Sequence, residues 1–277
     1  VQDAGSPHIG CKKKCCSALF LNPDPSRKVV SLGLIDPENK KCYLLEATPD
    51  LPEQLSILNS YAPFNTKQLP DGIFLTHAHI GHYTGLMYLG KEGMNTSGVP
   101  VYAMPKMKTF LEENGPWSQL VTTNNISIRK IMHQNSVRLT ANLEITAFTV
   151  PHRDEYSETV GYIISGPAKK VLFIPDIDKW ETWERSIIEE VKKVDYAFLD
   201  ASFFRDGELE RDMSKIPHPF TTQTTSLFQN ESRETKAKIY FIHFNHTNPT
   251  IKDNHPLKDS IQNLGFNFAK QGDTFEL

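Results

Sequence analysis

No run in these 277 residues is long and apolar enough to span a bilayer, and a mean hydropathy of −0.41 agrees. The net charge is −3, so no excess of basic residues draws the chain to nucleic acid or to an anionic membrane. Lys12-Lys13-Lys14 and Lys169-Lys170 are local, and no long basic insertion accompanies them. Cysteine is scarce, with four in all, and three of those sit too close together to staple a chain of this size. No low-complexity stretch or Pro/Ser-rich linker divides the sequence. What remains is an ordinary globular composition, 39% hydrophobic and 23% charged, long enough to bury a substantial core. No signal peptide is visible, yet the chain opens abruptly at Val1-Gln2-Asp3, within what reads as a strand-to-loop transition. An upstream segment is therefore expected to be missing, and the setting, bacterial cytoplasm or periplasm, stays open.

Periodicity gives an alternation of strands and helices. Residues 29–35 and 42–45 read as strands joined by a turn through Asp36-Pro37-Glu38-Asn39. Leu51–Tyr61 carries apolar residues at helical spacing behind Asp50 as a cap, and 83–89 and 107–113 read as helices. Short strands are expected at 101–103, 126–131, 137–139 and 143–150. In the second half, 160–165 and 170–174 form a hairpin through Gly166-Pro167-Ala168, 183–194 an amphipathic helix, and 196–199 an apolar strand. Helices at 220–228 and 257–264, a β-rich run at 238–244 and a terminal strand from 267 complete the pattern. Two β-rich layers with outer helices, in one α/β domain over 1–277, fit this layout.

The chain has ten histidines, and three fall within Thr76-His77-Ala78-His79-Ile80-Gly81-His82, directly after the apolar run Gly72-Ile73-Phe74-Leu75. Imidazole is the commonest neutral metal ligand, and an i, i+2 pair on extended backbone sends both rings to one side. Further polar residues close later strands: His152 after Thr149-Val150-Pro151, Asp176 after Phe173-Ile174-Pro175, and His243 after Tyr240-Phe241-Ile242. Each alone has a dull explanation, since a strand-end His is more often structural than a ligand, and Asp176 could cap a segment from Lys179. Their ordered recurrence after the histidine turn makes them a set, because strand-end loops converge side chains from distant sequence on one point.

With these residues in place the chain resembles the metallo-β-lactamase superfamily, whose members share a four-layer αββα sandwich and a metal centre. The superfamily signature is HxHxDH, then a His, an Asp and a final His on successive strand ends. The resemblance implies that His77, His79 and His152 hold a first metal, that His82 and His243 belong to a second, and that Asp176 bridges them. Gln2 to His8, the cysteine cluster and His243-Phe244-Asn245-His246-Thr247-Asn248-Pro249 are similar to the branch of pyrroloquinoline quinone biosynthesis protein B and the phosphonate-metabolism phosphodiesterase. tRNase Z is similar in outline. That likeness implies that His218, in Ile216-Pro217-His218-Pro219-Phe220, contacts a scissile phosphate. Asp200, in Asp200-Ala201-Ser202-Phe203, would orient a catalytic imidazole. The plain alternative makes His218 an exposed loop residue.

Cys11, Cys15 and Cys16 flank Lys12-Lys13-Lys14, a setting that eases deprotonation and favours a soft metal, with a Cys11–Cys15 or Cys11–Cys16 disulfide as competitor. The phosphodiesterase branch implies a closed structural zinc on Cys11, Cys15, Cys16 and His246. The spacing departs from that branch, with three residues between the first two cysteines and none between the last two. Cys42 reads as a buried free thiol. A sharper departure is Gly81, where the superfamily has Asp. Its loss leaves a weak or vacant second site, a replacement by Asp3 or His8 of the N-terminal loop, or a different metal. Asp3 is the favoured replacement, against its ordinary reading as a turn residue before Gly5.

The resemblance implies a metal-dependent hydrolase using one or two divalent ions, with Zn expected and Mn or Fe as substitutes. Such an ion lowers the pKa of bound water from about 15.7 toward ~7. Asp176 would position the hydroxide, and His218 would steady the developing oxyanion or protonate the leaving group. The expected partner is a small molecule, a phosphodiester, lactone or related cyclic ester or amide, with no nucleic acid; a homodimer is admitted. A competing reading is an iron-dependent oxidative enzyme of cofactor biosynthesis. In those relatives the first two signature histidines are typically altered, whereas His77 and His79 are intact. A third is a catalytically impaired metal-binding member, which Gly81 favours and the full ligand set opposes.

Overall fold

The computed structural model describes residues 1–277, and the chain passes four times between two units. The terminal unit comprises Val1–Lys28, Val150–Arg153 and Gly161–Leu277; the central unit comprises Val29–Thr149 and Asp154–Val160. The first helix, α1 (Lys14–Leu21), belongs to the terminal unit and carries Cys15 and Cys16, a helix that periodicity did not mark. No helix is long and apolar enough to cross a membrane.

In the central unit, β1 (Leu32–Asp36) turns back antiparallel into β2 (Lys41–Leu45) because the Asp36 carboxylate accepts the Asn39 N–H and Nδ2 at 3.0 and 2.8 Å. β3 (Gly72–Phe74), β4 (Val99–Ala103) and β5 (Ile126–Lys130) continue the sheet in parallel, in the order β1-β2-β3-β4-β5. β2 and β3 are buried almost throughout, as strands covered on both faces require, so they read as apolar runs rather than alternations. Helix α2 (Leu51–Tyr61) has the expected bounds. Asp50 stands at its N-cap, but the carboxylate accepts the Val29 N–H at 2.7 Å instead of a helix donor. The expected helix over 83–89 becomes a four-residue α3 (Ile80–Tyr83) followed by a 3₁₀ segment, Thr84–Leu89. Helices α4 (Pro105–Glu113) and α5 (Trp117–Thr122) and the hairpin β6 (Ser136–Arg138) and β7 (Glu144–Thr149) follow.

In the terminal unit, β8 (Val160–Ser165) pairs antiparallel with β9 (Lys170–Ile174). β10 (Tyr196–Asp200), β11 (Ile239–Ile242) and β12 (Asn267–Phe268) extend it in parallel, so the hydrogen-bonded run reads β12-β11-β10-β9-β8. The amphipathic helix expected over 183–194 shrinks to α6 (Ile187–Lys192), because the Ser186 hydroxyl accepts the Glu189 N–H and starts the helix there. Trp180 and Trp183 are buried upstream instead, with Trp180 Nε1 donating to Thr224 Oγ1 at 2.8 Å. Helices α7 (Thr221–Leu227), α8 (Arg233–Ala237) and α9 (Pro256–Asn263) cap the connections. The terminal strand stops at Phe268, beyond which a turn closes, Asp273 accepting the Lys270 N–H at 2.8 Å.

Candidate metal centre

In the central unit, the turn after β3 is pinned from both sides. Val160 N–H donates to Thr76 O at 3.2 Å, and Ala78 N–H donates to Ser157 Oγ at 2.9 Å. His77 Nε2 lies 2.8 Å from His79 Nδ1, and the His77 and His82 rings are 4.2 Å apart. Each ring has one nitrogen held by an oxygen. Thr76 Oγ1 is 2.9 Å from His77 Nδ1, Glu155 Oε2 is 3.2 Å from His79 Nε2, and Glu46 Oε1 is 3.2 Å from His82 Nδ1. Such contacts fix the tautomer and aim the opposite nitrogen, as metal-binding imidazoles require. Burial pushes the Glu46 carboxyl up from its ordinary range, and His82 beside it pulls the other way.

The terminal unit follows the same logic at its strand ends. The parallel register pairs Leu199 with Ile174 and Asp200 with Ile242, so Asp176, Asp200 and His243 emerge from one edge. This is the carboxyl edge, where open parallel sheets bind ligands. One ligand atom each of Asp176, Asp200, His218 and His243 lies within 4.8 Å of the others. Asp176 stands 3.3 Å from His243 Nε2, 3.3 Å from His218 Nδ1 and 3.9 Å from His152 Nε2. The far nitrogens of two of these rings are again held: His152 Nδ1 lies 3.2 Å from Asp178 and His243 Nδ1 lies 2.9 Å from Ser202 Oγ. His243 has φ 63°, a left-handed backbone that non-glycine residues take only when the surroundings impose it. Ser202 supplies part of that constraint, donating to Asp200 Oδ1 at 2.8 Å and receiving the Asn245 N–H on its carbonyl at 2.8 Å.

His218 is buried, 6% exposed, which overturns its reading as an exposed loop residue. Its Nδ1 is 2.7 Å from Asp200 Oδ2. Burial alone would lower its pKa, but the adjacent Asp200 and Asp176 carboxylates outweigh that and hold it at about 8. Lys179 Nζ anchors the same loop by donating to the His218 carbonyl at 2.6 Å.

Asp176 and Asp200 are essentially inaccessible to solvent and face two buried imidazoles. Burying carboxylates costs several kcal/mol per ion unless a cation compensates. The Asp176 carboxylate with the Nε2 atoms of His152 and His243 is a donor set that suits a divalent metal of the zinc class, while Asp200 is taken up by His218. Asp3 stays near this cluster: Gln2 N–H donates to Phe244 O at 3.0 Å, and the Asp3 charge is among those raising His218. His8, the other candidate from the N-terminal loop, is placed elsewhere. Its ring lies 4.4 Å from that of His246, and its N–H donates to Cys16 Sγ at 3.3 Å.

Cys11, Cys15, Cys16 and His246 present one ligand atom each within 4.8 Å of one another, despite the unusual spacing, and all four cysteines are free thiols. α1 explains the tolerance, because adjacent Cys15 and Cys16 open a helix that Cys11 approaches through the preceding turn. Burial pushes the Cys16 thiol up to about 12 without a cation, whereas a bound metal would deprotonate it. Sequence reasoning missed Glu46, Glu155 and Asp178. Glu46 alone carried a usable signal: it is a polar residue closing the apolar run Cys42-Tyr43-Leu44-Leu45, as Asp176 and His243 close theirs.

Residues 42–244 match the model of a family described as the beta-lactamase superfamily domain. The chain is 24% identical to Coenzyme PQQ synthesis protein B of Gluconobacter oxydans (strain 621H), over 95% of this chain and 91% of that protein. Among solved structures it is similar to Zn(2+)-bound PqqB from Methylobacterium extorquens, with a TM-score of 0.77 at 19% identity, covering 100% of this chain and 97% of the other. It is also similar to a diphosphatase of the PhnP family, with a TM-score of 0.67 at 22% identity over 100% and 95% of the two chains. The fold shared with them is the metallo-β-lactamase α/β sandwich.

Proposed function

This chain belongs to the beta-lactamase superfamily, and on that premise we propose that it is a metal-dependent hydrolase of small ester-type substrates. The observation that carries the reading is His218, buried with its Nδ1 against both Asp200 and Asp176. In this proposal His77, His79 and His152 hold one divalent ion, His82 and His243 belong to a second, and Asp176 serves both. Asp3 stands near as an auxiliary carboxylate. A bound divalent ion supplies hydroxide at neutral pH and polarises the oxygen under attack.

The protein's own groups supply the rest. Asp200 accepts from His218 Nδ1–H and keeps that ring protonated and fixed in orientation. His218 then has its Nε2 proton for the leaving oxygen or for the charge that develops on the attacked group. Asp178 and Ser202 hold the His152 and His243 rings through Nδ1, so both present Nε2. The cysteine cluster takes a separate structural zinc through Cys11, Cys15, Cys16 and His246. Substrates in this reading are phosphodiesters, lactones and related cyclic esters or amides.

The test is metal analysis followed by assay of the Zn²⁺-loaded protein on a phosphodiester, a lactone and a β-lactam. Hydrolysis of one of these is expected, with activity abolished by His77→Ala and by Asp176→Ala. Full turnover in either variant overturns the assigned roles, and a folded chain that cannot be loaded overturns the reading. The relatives named for PQQ synthesis favour a second reading, a role in cofactor biosynthesis. Turnover that requires Fe²⁺ and dioxygen, with no hydrolysis on the panel, would support that one.

A further inference from the structure

Glu46 is a buried carboxylate that the hydrolytic scheme leaves without a task. It closes β2 with no exposed surface, and its φ of 76° is strained for a residue bearing a Cβ. Three backbone contacts impose this placement. Glu46 N–H donates to Phe74 O at 2.8 Å, Ala47 N–H to His82 O at 3.0 Å, and Gly85 N–H to Ala47 O at 2.9 Å. The last approach requires glycine, since a Cβ at position 85 would lie 2.1 Å from Thr48 O. The result is Glu46 Oε1 at 3.2 Å from His82 Nδ1, with Oε2 3.4 Å from the Thr76 N–H at the entry to the histidine turn. A carboxylate is a costly group to place there, because the fold alone would be served by an apolar side chain. Position 81, between His79 and His82, is glycine and offers no donor of its own.

We propose that Glu46 is the positioning carboxylate of the second metal position. It holds His82 through Nδ1, turns Nε2 toward the metal, and brings the negative charge that the histidine turn, with glycine at 81, does not carry. This role rests on the metal-dependent reading above. It differs from the Asp3 replacement by reaching the ion through an imidazole rather than directly.

The test is titration of the metal-free protein with Co²⁺ alone, in wild type, Glu46→Gln, Gly81→Asp and the double variant. Thiolate-to-cobalt charge transfer reports the cysteine cluster separately from the visible bands of the imidazole and carboxylate sites. Glu46→Gln is expected to weaken the second cobalt about 10–100-fold, the cost of losing a group that orients a metal-binding imidazole, while the thiolate band and the metal-free Tm do not fall. Gly81→Asp in that background is expected to recover about tenfold, and Gly81→Asp alone to change affinity by less than about threefold. Cobalt binding to Glu46→Gln within about twofold of wild type, or a tightening of about tenfold from Gly81→Asp alone, overturns the role; the latter decides the matter even if Glu46→Gln does not fold. A wild-type protein with no cobalt outside the cysteine cluster defeats the hydrolytic reading instead.

Discussion

His218 shows how a single side chain takes its character from what surrounds it. In the sequence it lies between two prolines, where a surface loop is the ordinary expectation. In the structure Asp200 and Asp176 flank its Nδ1, and burial keeps water from screening them. A proton held this way suits a general acid, so His218→Ala is expected to lower kcat about 10²–10⁴-fold with metal uptake unchanged. Steady-state kinetics paired with metal analysis of the same sample checks both halves. Ser202 acts at the same scale, its hydroxyl lying between Asp200 Oδ1 and His243 Nδ1 at 2.8 and 2.9 Å. Ser202→Ala leaves buried polar atoms short of a partner and is expected to cost about 1–3 kcal/mol of stability, measured by urea unfolding.

At the scale of elements, the site depends on strand ends and on close backbone approaches. The parallel register of β9, β10 and β11 delivers Asp176, Asp200 and His243 to one edge, and this much was legible because apolar runs ending in a polar residue are local patterns. The segment after the histidine turn was less legible. Its 3₁₀ geometry follows from Gly85 seated against Ala47 and Thr48, a contact that no spacing within residues 80–89 reveals. Gly85→Ala must push these segments apart and is expected to cost about 1–3 kcal/mol or more, read as a fall in Tm. The helix expected over 183–194 failed for a related reason. Its apolar positions are right for burial, but Trp180 and Trp183 are buried from a short 3₁₀ turn, Trp180–Thr182, and the extended residue after it, and Ser186 restarts the hydrogen bonding.

For the molecule as a whole, the four crossings of the chain mean that neither unit is a continuous segment. We propose that residues 1–277 unfold as one domain, and expect the metal-free protein to show a single transition, coincident by circular dichroism and tryptophan fluorescence. Two separate transitions would refute this. Metal adds a second expectation. Cys11→Ser removes one thiolate of the proposed zinc cluster and is expected to lower zinc content by one ion per chain and reduce Tm, with metal bound at the proposed histidine and aspartate centre unchanged. Mass spectrometry under native conditions and differential scanning calorimetry check the pair.

By itself the sequence determined which polar residues close the apolar strands and where the histidines cluster, because hydrophobic runs, their polar terminators and histidine spacing are short-range features of the chain. It also determined that position 81 lacks a carboxylate. Only the tertiary structure decided which carboxylate stands against the histidine turn. Glu46 and His82 are 36 positions apart in the numbering, and they meet because a glycine lets two backbones touch. Tertiary packing likewise placed His8 beside Cys16 and His246, and it buried His218 between two carboxylates. Those outcomes depend on contacts between segments distant in sequence, whose energies no local pattern encodes.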